Sequence, residues 1–308
     1  MKEFFRRKIK QIRIFLHRQT LPGFNGIPIA IILKYVWKEI LRDDIVTRSN
    51  SMAFSFFISL FPGMLVILSL IPYFQMDDLV ATLQRSYVDL LPIEMSSYID
   101  GVILEMTQTT REGLLSLSIL LAIYFASNGV GTMLKGFHKS YEMTYKTENI
   151  FQRQWRALKL TLLLGVLFIG SLVAIVLGRP IVLKLFGSTL SESPEFTIYN
   201  YLRWFAVFVF YYVSISIIYR LGPAFHNKLR LLTPGATLAT ILSVISSFGF
   251  AVYVDNFAQY NEIYGSIGAL ILILLWLQIN SFIILIGYEL NASIAINRDL
   301  IAHEEPKI

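Results

Sequence analysis

The chain has 308 residues, 55% of them hydrophobic and 16% charged, with a net charge of +6 and no cysteine. The lack of cysteine excludes disulfides, thiol catalysis, iron–sulfur clusters and Cys-ligated zinc. So few charges leave no room for a large soluble domain, and the basic balance, which could point to nucleic acid, has a different origin set out below.

Residues 3–18 read as a basic amphipathic helix, with Phe5, Ile9, Ile12 and Leu16 on one face and Arg6, Arg7, Lys8, Lys10 and Arg13 around them. Such a segment adheres to anionic headgroups, at about 1 kcal/mol per basic residue near the surface. Pro22, Gly23, Asn25, Gly26 and Pro28 then break the chain. A second amphipathic helix is expected over 29–43. There Ile29, Ile32, Leu33, Val36, Trp37, Ile40 and Leu41 recur at three- and four-residue steps, with Lys34, Lys38 and Arg42 facing away. It is too short and one-sided to span a bilayer and is placed in the interface plane, as an elbow into the first crossing.

Six stretches then carry no charged residue: 49–76, 113–134, 160–178, 204–219, 231–254 and 263–288. A helix needs about 20 apolar residues to cross a hydrocarbon core. The fourth stretch is short, and crosses if Arg203 and Arg220 lift their charged ends to the interfaces. The crossings are set near 52–74, 114–134, 160–178, 203–220, 235–254 and 265–288. Alternate connecting segments differ in charge. Those on the side of the two termini hold 22 of the 27 Lys and Arg residues, and those on the other side hold 5. The positive-inside rule then puts both termini in the cytoplasm, and topology accounts for the basic balance. Nucleic acid is not an expected partner. The first crossing begins too late for a cleaved signal peptide, so the N-terminus is expected to stay.

The expected fold class is therefore all-α: a polytopic membrane protein with six transmembrane helices, N-terminal interfacial amphipathic helices and a helical outer loop. Its parts are residues 1–48 (cytoplasmic amphipathic helices), 49–291 (the membrane domain) and 292–308 (a cytoplasmic tail). The outer loop, 77–112, carries one apolar stripe of Leu79, Leu83, Tyr87 and Leu90 and another of Ile99, Ile103 and Met106, separated by Pro92. Two short helices over the mouth of the bundle follow, as a structural lid, a gate or a surface for an envelope protein partner.

Polar groups interrupt the apolar spans. Ser51, Ser55, Ser59 and Gly63 recur every four residues, a ladder of small groups that lets another backbone approach or lines a polar path. Pro62 beside it is expected to kink the helix and free a carbonyl. Asn128, near the inner end of the second span, needs hydrogen-bond partners. Tyr211 and Tyr212 in the fourth span need a partner or a wet cavity for their hydroxyls, whereas Tyr219 is assigned to the interfacial aromatic belt. In the sixth span Gln278, Ser281 and Tyr288 share a face, and Glu289 sits at its cytoplasmic end. Candidate partners for Glu289 at that depth are Arg48 and Arg220, in a structural ion pair or a transport element. No ionisable residue lies deep in any span, which argues against a proton pump built on buried carboxylates.

Recognisable catalytic chemistry is missing. His17, His138, His226 and His303 are scattered, and there is no H-E-x-x-H, G-x-S-x-G or Walker A sequence. No catalytic residue, metal ligand or cofactor is assigned.

The distinctive motifs lie at the ends of the spans. Ala53-Phe54-Ser55-Phe56-Phe57-Ile58-Ser59-Leu60-Phe61-Pro62 opens the first. Thr233-Pro234-Gly235-Ala236, Tyr264-Gly265-Ser266-Ile267-Gly268, Leu275-Trp276-Leu277 and Gly287-Tyr288-Glu289-Leu290-Asn291-Ala292 follow later. In this order they resemble the YihY/virulence factor BrkB family of bacterial inner-membrane proteins, over residues 30–295. Phe54, Phe56 and Phe57 depart from that family's first-helix pattern, and Gln278 stands where Tyr is common. The resemblance implies a six-helix inner-membrane protein that moves or handles envelope lipids. The family's older label, ribonuclease BN, finds no support in the residues, since the histidine-rich motif of the metal-dependent nucleases is missing.

The expected function is a transporter or flippase-like conduit for a lipid or envelope precursor. Ser55, Ser59, Asn128, Tyr211, Tyr212, Gln278 and Glu289 are its cavity-lining candidates. Pro62, Pro234, Gly265 and Gly268 are structural or hinge positions. The expected partners are membrane lipids, including anionic headgroups at the cytoplasmic face. A scaffold for an envelope assembly complex is the alternative, and a ribonuclease a third.

Overall fold

A computed structural model of the chain describes residues 20, 23–24, 26–42, 45–74, 112–138, 141, 143–186, 194–255 and 258–304. The amphipathic helix expected over 3–18 and the helical loop 77–112 fall outside the described residues.

Seven helices follow: α1 (Ile29–Arg42), α2 (Ile45–Phe74), α3 (Glu112–Gly136), α4 (Ile150–Phe186), α5 (Pro194–Leu221), α6 (Pro234–Asp255) and α7 (Ala258–Glu304). Each of the six expected spans falls on one of the helices α2 to α7. Among the described residues the only non-helical pairing is an isolated antiparallel bridge between Tyr145 and Phe225.

Local chemistry sets several boundaries. Gly23 and Gly26 turn the chain ahead of α1 with φ of 90° and 79°, a region open to glycine at little cost. Asn149 opens α4, and the Gln152 side chain reaches back to accept from the Asn149 backbone N–H at 3.2 Å, as in a capping box. Pro234 occupies the first turn of α6, where its missing N–H costs nothing. Thr233 caps that helix, its Oγ1 accepting from Ala236 N–H at 3.2 Å. The helix α2 continues through Pro62, which is buried.

The helices α2 to α7 close into a ring. Each packs against its neighbour in sequence, and α7 returns to α2. The helix α7 also meets α5 across the ring. At one end the centre is filled by side chains. Buried residues gather there on every helix of the ring: Met52 and Ala53, Met133 and Leu134, Ala157 and Leu160, Ile215 and Tyr219, Ala236 and Ala239, and Leu285 to Ile296. This is the end at which the basic connecting segments lie.

Away from that end the outer surface is apolar. Phe54, Phe61, Ile67, Leu120, Phe168, Phe205, Phe248 and Val252 are all exposed, Phe248 to 73%. Water would not tolerate so continuous a patch, whereas hydrocarbon covers it at no cost. Among the described residues four helices are long and apolar enough to cross a membrane, over Ile45–Ile67, Leu115–Gly136, Pro234–Val254 and Leu270–Ile301, and α5 adds a shorter apolar run, Phe205–Leu221. This is a multi-pass membrane architecture.

Two elements exceed their sequence-based limits. The helix α7 does not stop near Tyr288 but runs on to Glu304. At 47 residues it is about 70 Å long, more than twice a hydrocarbon core of about 30 Å. The part beyond Tyr288 stays helical because it is packed: Leu290 and Ile294 join Phe24, Ile27, Ile32 and Val36 in a second small core. The helix α1 thus buries its Ile32–Val36 face on α7, while Trp37, Lys34 and Lys38 point outward. The helix α4 likewise starts ten residues ahead of the apolar stretch at 160–178, so its first turns stand clear of it.

Candidate functional site

A buried polar cluster sits at the packed end of the ring. The α7 residues Gly287 to Asn291 reach α2, α3, α5 and the start of α6 at once. The Glu289 side chain is 0% exposed and pairs with Arg48 on α2, Oε1 to Nη2, at 3.0 Å. Arg48 Nη1 also donates to the Gly136 carbonyl at the end of α3, at 2.5 Å. One guanidinium thus neutralises a buried carboxylate and satisfies a helix C-terminal carbonyl. Of the two candidate partners Arg48 is the one brought to Glu289.

Tyr288, next to it, donates its hydroxyl to the Phe137 carbonyl. Since a phenol has one proton, Tyr145 must be the donor in the 2.6 Å contact between the Tyr145 and Tyr288 oxygens. The Tyr288 ring stacks on Phe137, with centroids 4.2 Å apart, and Phe225 packs on Tyr145 at 4.8 Å and faces Tyr288 at 6.4 Å. Tyr219 donates to the Ile284 carbonyl at 2.7 Å and is fully buried. That corrects its assignment to the lipid-facing aromatic belt. Its position at the helix end suits a belt, but the neighbouring Gly287 opens room for the ring inside. A Cβ on Gly287 would lie 2.5 Å from the Tyr219 oxygen and 2.7 Å from the Gly235 carbonyl.

Asn291 completes the cluster. Its Oδ1 accepts from Gly235 N–H at 2.9 Å, and its Nδ2 donates to Thr233 Oγ1 at 3.0 Å. The first N–H groups of α6, orphaned by helix geometry, are thereby satisfied by α7 and the Thr233 cap. The connecting segments are joined as well. Lys146 N–H donates to the Ala224 carbonyl at 2.7 Å and His226 N–H to the Thr144 carbonyl at 3.0 Å. Phe137, Tyr145, Phe225 and Thr144 belong to no pattern readable in the sequence; their burial depends on two loops meeting.

The remaining candidates lie further along the ring. The Ser55 hydroxyl lies 2.8 Å from the Ser51 carbonyl of its own helix and 3.1 Å from Thr132 Oγ1 of α3, and its one proton serves either. Ser59 bonds the Phe56 carbonyl at 2.6 Å, in its own helix. Asn128 accepts from Gln154 of α4 at 3.0 Å, and Gln278 donates to Asn50 of α2 at 2.7 Å. Tyr212 meets Thr237 of α6 at 3.3 Å, and Tyr211, more than a third exposed, lies beside Ser243. These pairs link neighbouring helices in succession: α2 to α3, α3 to α4, α5 to α6 and α7 to α2. Of the small-residue ladder, Gly63 faces open space and Ser51 is exposed; the close approach is made by Gly129 of α3, against the Phe56 ring. Gly265 and Gly268 lie inside α7.

The model of the virulence factor BrkB family matches residues 36–307, nearly the whole chain. The chain belongs to that family. Among BrkB relatives is a ribonuclease-like protein named YfkH from Bacillus subtilis (strain 168), 28% identical over 263 residues, covering 84% of this chain and 94% of that one. Others, from Xanthomonas oryzae pv. oryzae (strain PXO99A) and Xanthomonas campestris pv. campestris (strain B100), are named UPF0761 membrane proteins. Each is 26% identical over 270 residues, covering 85% of this chain. The chain spans 60% of the length of those Xanthomonas relatives. No solved structure matches it. Two of the BrkB motifs that carried the resemblance meet in space at the packed end: Thr233 to Ala236 against Gly287 to Ala292.

Proposed function

We propose that this BrkB family member crosses a bacterial inner membrane six times with both termini in the cytoplasm, and acts as a transporter or flippase-like conduit for a lipid or envelope precursor. The observation that carries this reading is the position of the polar pairs. Asn128, Gln278, Ser55 and Tyr212 are only partly buried, yet they sit on helices whose other surfaces are apolar. An amide facing lipid is costly, because hydrocarbon cannot satisfy the hydrogen-bond valences its partner leaves unused. The groups are better accommodated if they face the centre of the ring, where water or a headgroup completes their bonding. The filled basic end then acts as a closed gate, and the other end as the way in.

The ribonuclease reading is carried by one relative's name, and no catalytic constellation in the described residues favours it. The scaffold reading places its docking surface on 77–112, outside the described residues. Both remain outcomes of the test rather than competing proposals.

The test is translocation of a fluorescent phospholipid, and of a lipid-linked precursor, by purified protein in liposomes. We expect transport that falls at least several-fold in Gln278→Leu, with the protein still monodisperse. Transport by neither cargo, under any ion gradient, would remove the conduit reading.

A further inference from the structure

Beside the packed end lies a basin of about 350 Å³, within the usual range of small-molecule sites of about 300–1,000 Å³. Five cations line it: Lys146 before α4, Arg156 and Lys159 on α4, Arg220 at the end of α5, and Lys228 before α6. One carboxylate joins them, Glu148, which is ion-paired to Arg156. Among the described residues no carboxylate pairs with Lys146, Lys159, Arg220 or Lys228. The positive-inside rule accounts for cations at this end, but not for their convergence from three separate segments on one concavity. Arg156 is half-sunk, its Nε lacks a hydrogen-bond partner, and burial lowers its affinity for its proton.

The lining also has an apolar part. Leu160, Leu163, Leu221 and Phe225 face the same space. Leu162 and Leu163 are exposed on α4, and Trp155, one turn below Lys159, carries that lysine's ammonium 5.2 Å above its ring. A tryptophan paired with a lysine marks the level of headgroups, where an aromatic body and a charged tip are both satisfied. The basin thus mixes cations with an apolar lining and is set at the membrane surface.

We propose that this basin binds a phosphate group, the natural counter-charge for lysine and arginine at this density, and that the apolar lining favours a phosphate presented by a lipid over a free one. The site rests on the membrane placement above and not on transport; it would serve a conduit as an entry point and a scaffold as an anchor.

The test uses the full chain in neutral detergent, with native mass spectrometry to count retained dioleoyl phosphatidic acid against dioleoyl phosphatidylcholine. Three proteins are compared: wild type, Lys159→Gln/Lys228→Gln in the basin, and Lys34→Gln/Lys38→Gln on the exposed face of α1. All four lysines are exposed, so none is needed for folding. We expect preferential retention of phosphatidic acid, weakened about tenfold or more by the basin pair, each lysine near the surface being worth about fivefold, and unchanged by the α1 pair. Excess inorganic phosphate or glycerol phosphate should displace the lipid poorly. Efficient displacement would keep the phosphate site but assign it to soluble esters. Equal retention of the two lipids, or equal weakening by both lysine pairs, overturns the site. Undiminished retention in the basin variant beside intact liposome translocation would sink this site and leave the conduit standing; retention lost in that variant while the wild type translocates neither cargo would remove the conduit and leave the site.

Discussion

Glu289 shows how one residue can be held in a place hostile to it. A carboxylate with no exposure is stable only if a cation and hydrogen bonds replace its lost hydration, and Arg48 supplies both. Removing one partner leaves the other charge without compensation, at a cost of about 3–5 kcal/mol. We therefore expect Glu289→Ala to lower the thermal midpoint in detergent sharply and Glu289→Gln less, since the amide oxygen still accepts from Arg48. The double change Arg48→Leu/Glu289→Leu should recover part of the loss. A Glu289→Ala protein that melts like the wild type would show that the pair contributes nothing. The sequence placed Glu289 at a span end and offered two arginines; choosing between them required knowing which side of this turn of α7 faces α2.

At the scale of elements, the crossing of α6 and α7 is set by two glycines. A Cβ on Gly235 would fall onto the Gly287 carbonyl and within 2.5 Å of the Asn291 side chain. The backbones meet there more closely than side chains permit, which is how membrane helices gain contact without a hydrophobic driving force between them. Gly235→Ala should force the helices apart and break the Asn291 bond to Gly235 N–H, destabilising by about 1–3 kcal/mol. Gly63→Ala, with nothing within 4 Å, should be neutral or slightly stabilising. Thermal melts of the two variants check both, and equal effects would refute the account. On α2 the ladder is approached at Ser55, whose carbonyl would lie 3.6 Å from a Cβ on Gly129 of α3, and not at Gly63. Small residues at four-residue steps mark a face that could be approached closely, but not which neighbour approaches, and here the backbone contact belongs to Gly129.

For the whole molecule the decisive property is orientation. The basic connecting segments, the packed end and the phosphate basin lie together, so all should face the cytoplasm if the positive-inside rule holds. The native chain has no cysteine, so single cysteines report without further mutation. In intact cells Lys146→Cys and Lys228→Cys should resist a membrane-impermeant maleimide and react only after the membrane is opened, whereas Tyr87→Cys should react at once. Labelling of Lys146→Cys from outside would invert the topology and with it the direction of any transport.

The sequence by itself determined the all-helical, membrane class of fold, through charge and hydropathy, which are local and which a bilayer reads segment by segment, and the family, through its motifs. It also foresaw the start of α6 at Pro234 and the turn ahead of α1, both matters of backbone stereochemistry. What only the tertiary structure decided was which distant groups meet: Arg48 with Glu289, Tyr145 with Tyr288, Asn291 with Gly235, and five cations around one basin. Those pairings span up to 241 residues of chain. They depend on the order in which helices pack around the ring, and no periodicity along the chain encodes that order.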